Sequence, residues 1–354
     1  MDAGPTYYNA AFVAERHQAE AVIRQLLRAG LLDPTRRIAS GADVVIPVRS
    51  HPSLPSWAHR LGVKLVQDRP LLPRDGRRSP HEEVLDILRP ALTPALLDAV
   101  PDKWEQHGDV LVLRLPGALR EHGPIVGGAF AQVLGLRSVL DDPAGVSGEY
   151  REMSATLLWG DDPIATHVEN GISYRFDASR IMFSSGNVHE RMRVARLPAR
   201  GETIVDMFAG IGYFTLPLAV HAGAARIHAI EKNPVSFQYL QENARANDVA
   251  GIIDPWLGDN REFPLEGIAD RVMMGYVGGT RKFLPKAFAL LKREGGVIHL
   301  HDTAHADHWK DELTRASLDA ARACGTVVRV TDARLVKSYS PGVVHAVLEL
   351  RVRR

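Results

Sequence analysis

The sequence predicts an α/β protein whose C-terminal half is a seven-stranded, mostly parallel, helix-covered sheet, with α+β segments ahead of it. Three observations carry this. Strand-like and helix-like runs alternate from Thr203 onward. A glycine-bearing turn, Ala209-Gly210-Ile211-Gly212, joins the first strand of that series to its first helix. The last two strands are linked only through Ser340-Pro341-Gly342. Alternation implies parallel strands with right-handed crossovers, and a connection that short has no room for a crossover helix, so the final pair runs antiparallel.

Taken in order, Glu15 to Leu27 has helical periodicity in Ala19, Val22, Ile23, Leu26 and Leu27, with Gly30 as a stop. A short strand follows at Val44 to Val48. Pro52, Pro55 and the proline- and arginine-rich stretch from Pro70 to Pro80 read as linker, placing a boundary near residue 75. The middle segment mixes a helix around Glu82–Leu88, a strand at Val110–Leu115, a helix near Ala129–Leu134, and strand-like runs at Leu157–His167 and Ile172–Phe176. Three domains are expected: 1–75, 76–180 and 181–354. Beyond Thr203, strands are expected at 203–207, 225–230, 252–256, 269–274, 296–301, 327–335 and 343–351. Helices are expected at Phe214–Val220, Pro234–Asn247, Lys282–Leu291 and Trp309–Ala323.

Composition narrows the class. The net charge of +1 shows none of the basic excess usual in nucleic-acid enzymes. Arginines do gather at Arg36-Arg37 and at Arg74, Arg77 and Arg78, a pattern that fits solvated surface at least as well as a phosphate footprint. No apolar run approaches the roughly 20 residues of a membrane span, and Met1-Asp2-Ala3-Gly4-Pro5 does not open a secretory signal. The single cysteine, Cys324, excludes an internal disulfide and a cysteine-based metal cluster. The cytoplasm is the expected compartment.

The glycine turn carries the chemistry. Glycines at a strand-to-helix bend let backbone approach a ligand closely. Glu231 ends the next strand, nineteen residues after Gly212, where a carboxylate can accept hydrogen bonds from both ribose hydroxyls of a nucleoside. A dinucleotide site usually carries G-x-G-x-x-G, but the third glycine is absent here, and Asp206 on the first strand would repel a pyrophosphate. S-adenosylmethionine, cationic and free of phosphate, fits better. Gly258-Asp259-Asn260 after the third strand would face its adenine.

Further strings extend this reading. They are Glu169-Asn170-Gly171, Phe183-Ser184-Ser185-Gly186-Asn187-Val188-His189-Glu190-Arg191, Gly275-Tyr276-Val277 at the fourth-strand outlet, and Val336-Lys337-Ser338-Tyr339 between the last strands. Together they resemble the wybutosine-synthesizing aminocarboxypropyltransferases, a family related to the tRNA guanosine-N1 methyltransferases. The resemblance covers nearly the whole chain. It implies the class I S-adenosylmethionine-dependent methyltransferase-like (Rossmann-like) fold, a tRNA substrate held in part by the N-terminal segments, and cofactor contacts from Ser184, Arg191, Glu231, Asp259 and Asn260. Asp206 and Gly210 join the expected cofactor set. Each has a plainer use: Ser184, Asn187 or Glu190 as a helix cap, Arg191 or Arg193 in a surface ion pair, Asp259-Asn260 in a turn.

A sulfonium activates three carbons, and positioning decides which is attacked. Amino methyltransferases usually place Asn/Asp-x-Pro or Asn/Asp-Pro-Pro at the fourth-strand outlet. This chain has Gly275-Tyr276-Val277-Gly278-Gly279, which argues against methyl transfer and matches the branch it resembles, in which the 3-amino-3-carboxypropyl group is transferred and methylthioadenosine released. In that scheme Glu231, Asp259 and Asn260 hold adenosine, Ser184 and Arg191 orient the methionine end, with Arg191 pairing to its carboxylate, and Glu190 is the expected general base. Lys337, Tyr339 and His301-Asp302 are secondary candidates. His299 and His301 share a strand face as metal ligands would, without a third ligand, and no metal is expected. Competing readings are the same transfer to a small molecule or peptide, guanosine-N1 methylation of tRNA, and a catalytically silent RNA-binding module, which the intact Glu231 and Asp259-Asn260 set disfavours.

Overall fold

The computed structural model describes residues 10–41, 43–67, 71, 78–146, 148 and 150–353. The chain separates into two compact units, Met1–Glu83 and Val84–Arg354. The boundary expected near residue 75, with Arg74 and Arg77, lies outside the described residues.

The first unit contains β1 (Ala11–Glu15), α1 (Arg16–Arg28), β2 (Ala39–Ser40), β3 (Asp43–Pro47), α2 (Leu54–Leu61) and β4 (Lys64–Val66). Its antiparallel sheet has the order β2-β3-β1-β4. α1 buries Ala19, Val22 and Leu26, a heptad-like stripe, against Phe12, Ile46 and Leu54. Pro55, expected in a linker, instead stands in the first turn of α2, where a missing N–H removes no helical bond. Gly62 ends that helix at φ 64°. α3 (Pro80–Leu88) spans the division between the units.

The second unit opens with α4 (Pro94–Leu97), β5 (Glu105–His107), β6 (Val110–Leu113), α5 (Gly123–Leu134), β7 (Ser138–Asp141) and β8 (Thr156–Trp159). These strands form a sheet of order β5-β6-β7-β8, in which α5 is the crossover between the parallel pair β6 and β7. Next comes the hairpin of β9 (Ile164–Glu169) and β10 (Ile172–Asp177). Asn170 and Gly171 turn it at φ 52° and 75°, the left-handed pair that a two-residue hairpin matched to strand twist requires. Ala165, Ile172, Tyr174 and Phe176 from this hairpin share one core with Ile204, Ile211 and Leu240 of the following sheet.

That sheet is built from β11 (Thr203–Asp206), β12 (Arg226–Glu231), β13 (Ile253–Leu257), β14 (Arg271–Met274), β15 (Gly296–His305), β16 (Val327–Ser340) and β17 (Val343–Arg353). Its helices are α6 (Val188–Val194), α7 (Thr215–Val220), α8 (Pro234–Ala246), α9 (Leu284–Leu290) and α10 (Trp309–Ala323). The order is β13-β12-β11-β14-β15-β17-β16, parallel except for β17, which runs against both neighbours. This is the seven-stranded arrangement with one reversed strand that the alternation predicts. Strand order reverses between β11 and β14, so a crevice opens beyond their carboxyl ends. β16 runs five residues past its expected end, with bulges between Val330 and Asp332, Leu335 and Lys337, and Ser338 and Ser340. Among the described residues no helix is long and apolar enough to cross a membrane.

Candidate active site

The crevice is a cavity whose wall follows from the glycine turn. Gly210 (φ 57°) donates its N–H to Glu231 Oε2 at 2.7 Å, and Asn233 N–H donates to Oε1 at 2.7 Å. Glu231 therefore ties the turn to the tip of β12 while still lining the cavity with acceptor capacity left over. Burial raises its pKa, against the pull of those backbone donors. Gly212 (φ 105°) is fixed by packing: a Cβ there would stand 2.7 Å from Leu216 Cγ. Asn233 begins α8 by accepting Val235 N–H at 2.8 Å, with Pro234 behind it.

Asp206 does not line the cavity. Fully buried, it accepts Thr215 Oγ1 at 2.8 Å and Phe208 N–H at 3.3 Å, and burial pushes its pKa up to about 6. It braces the turn from behind and does not face a cationic ligand.

Beyond β13, Asp259 accepts Arg261 N–H at 3.0 Å, Arg261 Nε at 2.8 Å and Lys232 Nζ at 3.2 Å. Arg261 above all holds its carboxyl far below the usual range, against burial. Asn260 is 5% exposed; its Nδ2 donates to Met207 O at 3.2 Å, but its Oδ1 is buried with no protein donor. Phe208 stacks on Tyr276 at 5.3 Å and meets Phe283 edge-on at 5.1 Å, and all three line the same cavity. Unmatched polar atoms among aromatic faces suit a nucleoside.

The string from Phe183 to Arg191 forms another part of the wall. Arg191 lines the cavity, yet its guanidinium is already engaged. Nε and Nη2 donate to the two oxygens of Glu169 at 2.7 and 2.6 Å, and Nη1 donates to Ser184 O at 3.0 Å. Its face covers the Phe183 ring at 4.4 Å. Burial raises the Glu169 carboxyl, but hydrogen bonds from Arg191 and His167 outweigh it and bring the pKa down to about 2. The expected pairing of Arg191 with a donor carboxylate is thus taken by Glu169, delivered by the Asn170-Gly171 turn.

Glu190, the expected general base, does not line the cavity. It is 4% exposed and accepts Arg193 Nε at 3.0 Å and Nη2 at 2.7 Å, with His301 Nε2 3.6 Å away. Helical spacing explains this, since adjacent residues of α6 face different directions. His299 and His301 are buried, His299 against Arg271 at 2.6 Å and His301 beside His345 at 3.3 Å. Burial lowers His301 to about 3, and no trio of metal ligands occurs among the described residues.

Two lining residues carried little weight in the sequence. Lys337 Nζ donates to Ser184 Oγ at 2.8 Å. Burial lowers its pKa, and Arg191 and Arg151 add to that against Glu105. Arg151, in the left-handed region at φ 52°, places its guanidinium 5.9 Å over Tyr276; nothing in its local sequence announces it.

The TRM5/TYW2 methyltransferase domain family matches residues 165–328, and the TYW2 N-terminal domain family matches residues 84–163. A Pyrococcus horikoshii protein named tRNA(Phe) (4-demethylwyosine(37)-C(7)) aminocarboxypropyltransferase is 40% identical over 269 residues, covering 76% of this chain and 96% of its own. The crystal structure of P. horikoshii TYW2 in complex with MeSAdo is similar at 38% identity and a TM-score of 0.69, over 77% of this chain and 99% of that one. The structure of Methanocaldococcus jannaschii TYW2 in complex with AdoMet is similar at 34% identity and a TM-score of 0.59, over 71% and 100%.

Proposed function

We propose a function on the premise that this chain belongs to the tRNA wybutosine-synthesizing protein 2 family. It is an S-adenosylmethionine-dependent 3-amino-3-carboxypropyltransferase that acts on the wyosine-precursor guanosine beside the tRNA anticodon. The donor fits what lines the cavity: an acceptor carboxylate on Glu231, an Asn260 side chain whose buried amide oxygen has no protein donor, and aromatic faces at Phe208, Tyr276 and Phe283. When bound, S-adenosylmethionine supplies a sulfonium that activates the γ-carbon of its amino-acid arm, with methylthioadenosine as leaving group.

The chain's own contribution is orientation. Glu231 takes the ribose hydroxyls and Asn260 Oδ1 takes a donor from the adenine. Asp259, clamped by Arg261 and Lys232, holds the turn that presents Asn260. Arg191 acts through Ser184, fixing its carbonyl so that the wall from 184 to 187 keeps its shape. Among the described lining residues the carboxylates are Glu231 and Asp259, both at the adenosine end, so Glu190 is not proposed as base.

The observation that favours this transfer over methylation is the outlet of β14. Gly275, Tyr276 and Val277 line the cavity there without a carboxamide or proline to hold an accepting nitrogen. Incubation with carboxyl-labelled S-adenosylmethionine and tRNA carrying the precursor tests it. Label in the RNA and methylthioadenosine in solution are expected; S-adenosylhomocysteine with methylated RNA would refute it. We further place tRNA binding and the cytoplasm with this activity. Affinity for tRNA should fall steeply with salt as phosphate contacts release counterions.

A further inference from the structure

The amino-acid arm of the proposed donor ends in an ammonium and a carboxylate, and the Ser184 part of the cavity wall holds two groups that match them. The first is Asn187. It stands at the N-cap position of α6 but makes no capping bond, and its Oδ1 is buried without a donor while the residue lines the cavity. A buried acceptor left without a partner is costly, and a turn of the amide that brings it to the cavity and onto a bound ammonium removes that cost.

The second is Lys337. Its Nζ reaches Ser184 Oγ, and among the described residues no carboxylate stands within ion-pair distance of it. Of the other cations near it on the wall, Arg191 is already neutralised by Glu169, and Arg151 is turned toward the β14 outlet, over the Tyr276 ring and within 3.5 Å of Val277 O. Local backbone brings Lys337 there: bulges flank it in β16, breaking the alternation that would set its direction. Gly186 leaves room as well, because a Cβ at that position would lie 3.2 Å from both Cδ and Nζ of Lys337.

Resting on the reading that the cavity holds S-adenosylmethionine, we propose that Lys337 and Asn187 clamp the donor's amino-acid arm, Lys337 taking the carboxylate and Asn187 Oδ1 the ammonium. An arm fixed at both charged groups leaves the γ-carbon in one orientation, which is what selective attack at that carbon requires.

Calorimetric binding of three ligands tests the clamp. S-adenosylmethionine and S-adenosylhomocysteine carry the arm; methylthioadenosine lacks it. In Lys337→Met, affinity for both arm-bearing ligands should fall about 10–100-fold, as expected for loss of a charged hydrogen bond, with methylthioadenosine within about twofold of wild type. Asn187→Ala should show the same selectivity with a loss of about 3–10-fold, and Lys337→Arg should restore most of the arm-dependent affinity. Methylthioadenosine serves as the folding control, so equal loss for all three ligands would overturn the clamp. Unchanged binding of the arm-bearing ligands in both variants would overturn it while leaving the donor reading intact. A wild-type chain that binds none of the three would overturn the donor reading itself, and the clamp with it.

Discussion

Removing the Glu169 carboxylate probes how the hairpin holds the donor wall. Arg191 and Glu169 side chains are 3% and 11% exposed, and two short hydrogen bonds join them. Glu169→Ala leaves a buried guanidinium with one carbonyl, Ser184 O, and the Phe183 ring for partners. Stranding one member of a buried pair costs about 3–5 kcal/mol. At about 2–4 °C per kcal/mol for a domain of this size, the predicted fall in Tm is about 6–20 °C. Thermal and urea denaturation measure it, and a double-mutant cycle with Arg191→Met isolates the pair, with a coupling of at least about 2 kcal/mol expected. The pH dependence follows from the depressed carboxyl. With a folded pKa of about 2 against an ordinary 4.5, the stabilisation is fully present above pH 4.5 and lost as the pH falls toward 2. Glu169→Ala should lack that slope. A variant within about 1 kcal/mol of wild type, or one with the same acid slope, refutes the reasoning.

Glu231→Ala should weaken S-adenosylmethionine binding at least about 100-fold by calorimetry, since it removes the proposed ribose acceptor and releases Gly210; unchanged affinity removes the assignment. Glu190→Gln should keep transferase activity within about threefold yet lose about 1–3 kcal/mol of stability, because the carboxylate faces Arg193 and lies off the cavity wall. A collapse of kcat with the fold intact would restore it as the base. Gly212→Ala should cost at least about 1–3 kcal/mol in urea denaturation, given φ 105° and a Cβ 2.7 Å from Leu216 Cγ; a neutral variant would show the turn can relax.

Where periodicity and punctuation agree, the sequence was legible. The strands from β11 to β15 begin within about two residues of their expected starts, because buried β-branched runs alternate with amphipathic helices there. Glu231 and Asn260 could be placed on the wall since their positions follow strand ends, which topology fixes. Arg191, Glu190 and Asp206 were harder. Their residue types suggest ligand chemistry, but a partner 22 residues away, the helical phase of α6 and the hydroxyl of Thr215 decide where each one points. β1 and α2 escaped notice, one too short to show a period and the other opening on a proline that mimics a linker. The polar run Lys337-Ser338-Tyr339 hides the end of β16, since the bulges erase alternation where the strand reaches the site.

β17 follows β16 in the chain yet lies between β15 and β16, so it occupies an interior place in the sheet. Lys337 and Tyr339 belong to a strand whose ladder neighbour in the sheet, among the described residues, is β17. Val343–Arg353 therefore ties the β16 side of the pocket to the rest of the sheet. Without that strand one edge of β15 would be left unpaired, and the segment carrying Lys337 and Tyr339 would lose the ladder that holds it beside the cavity.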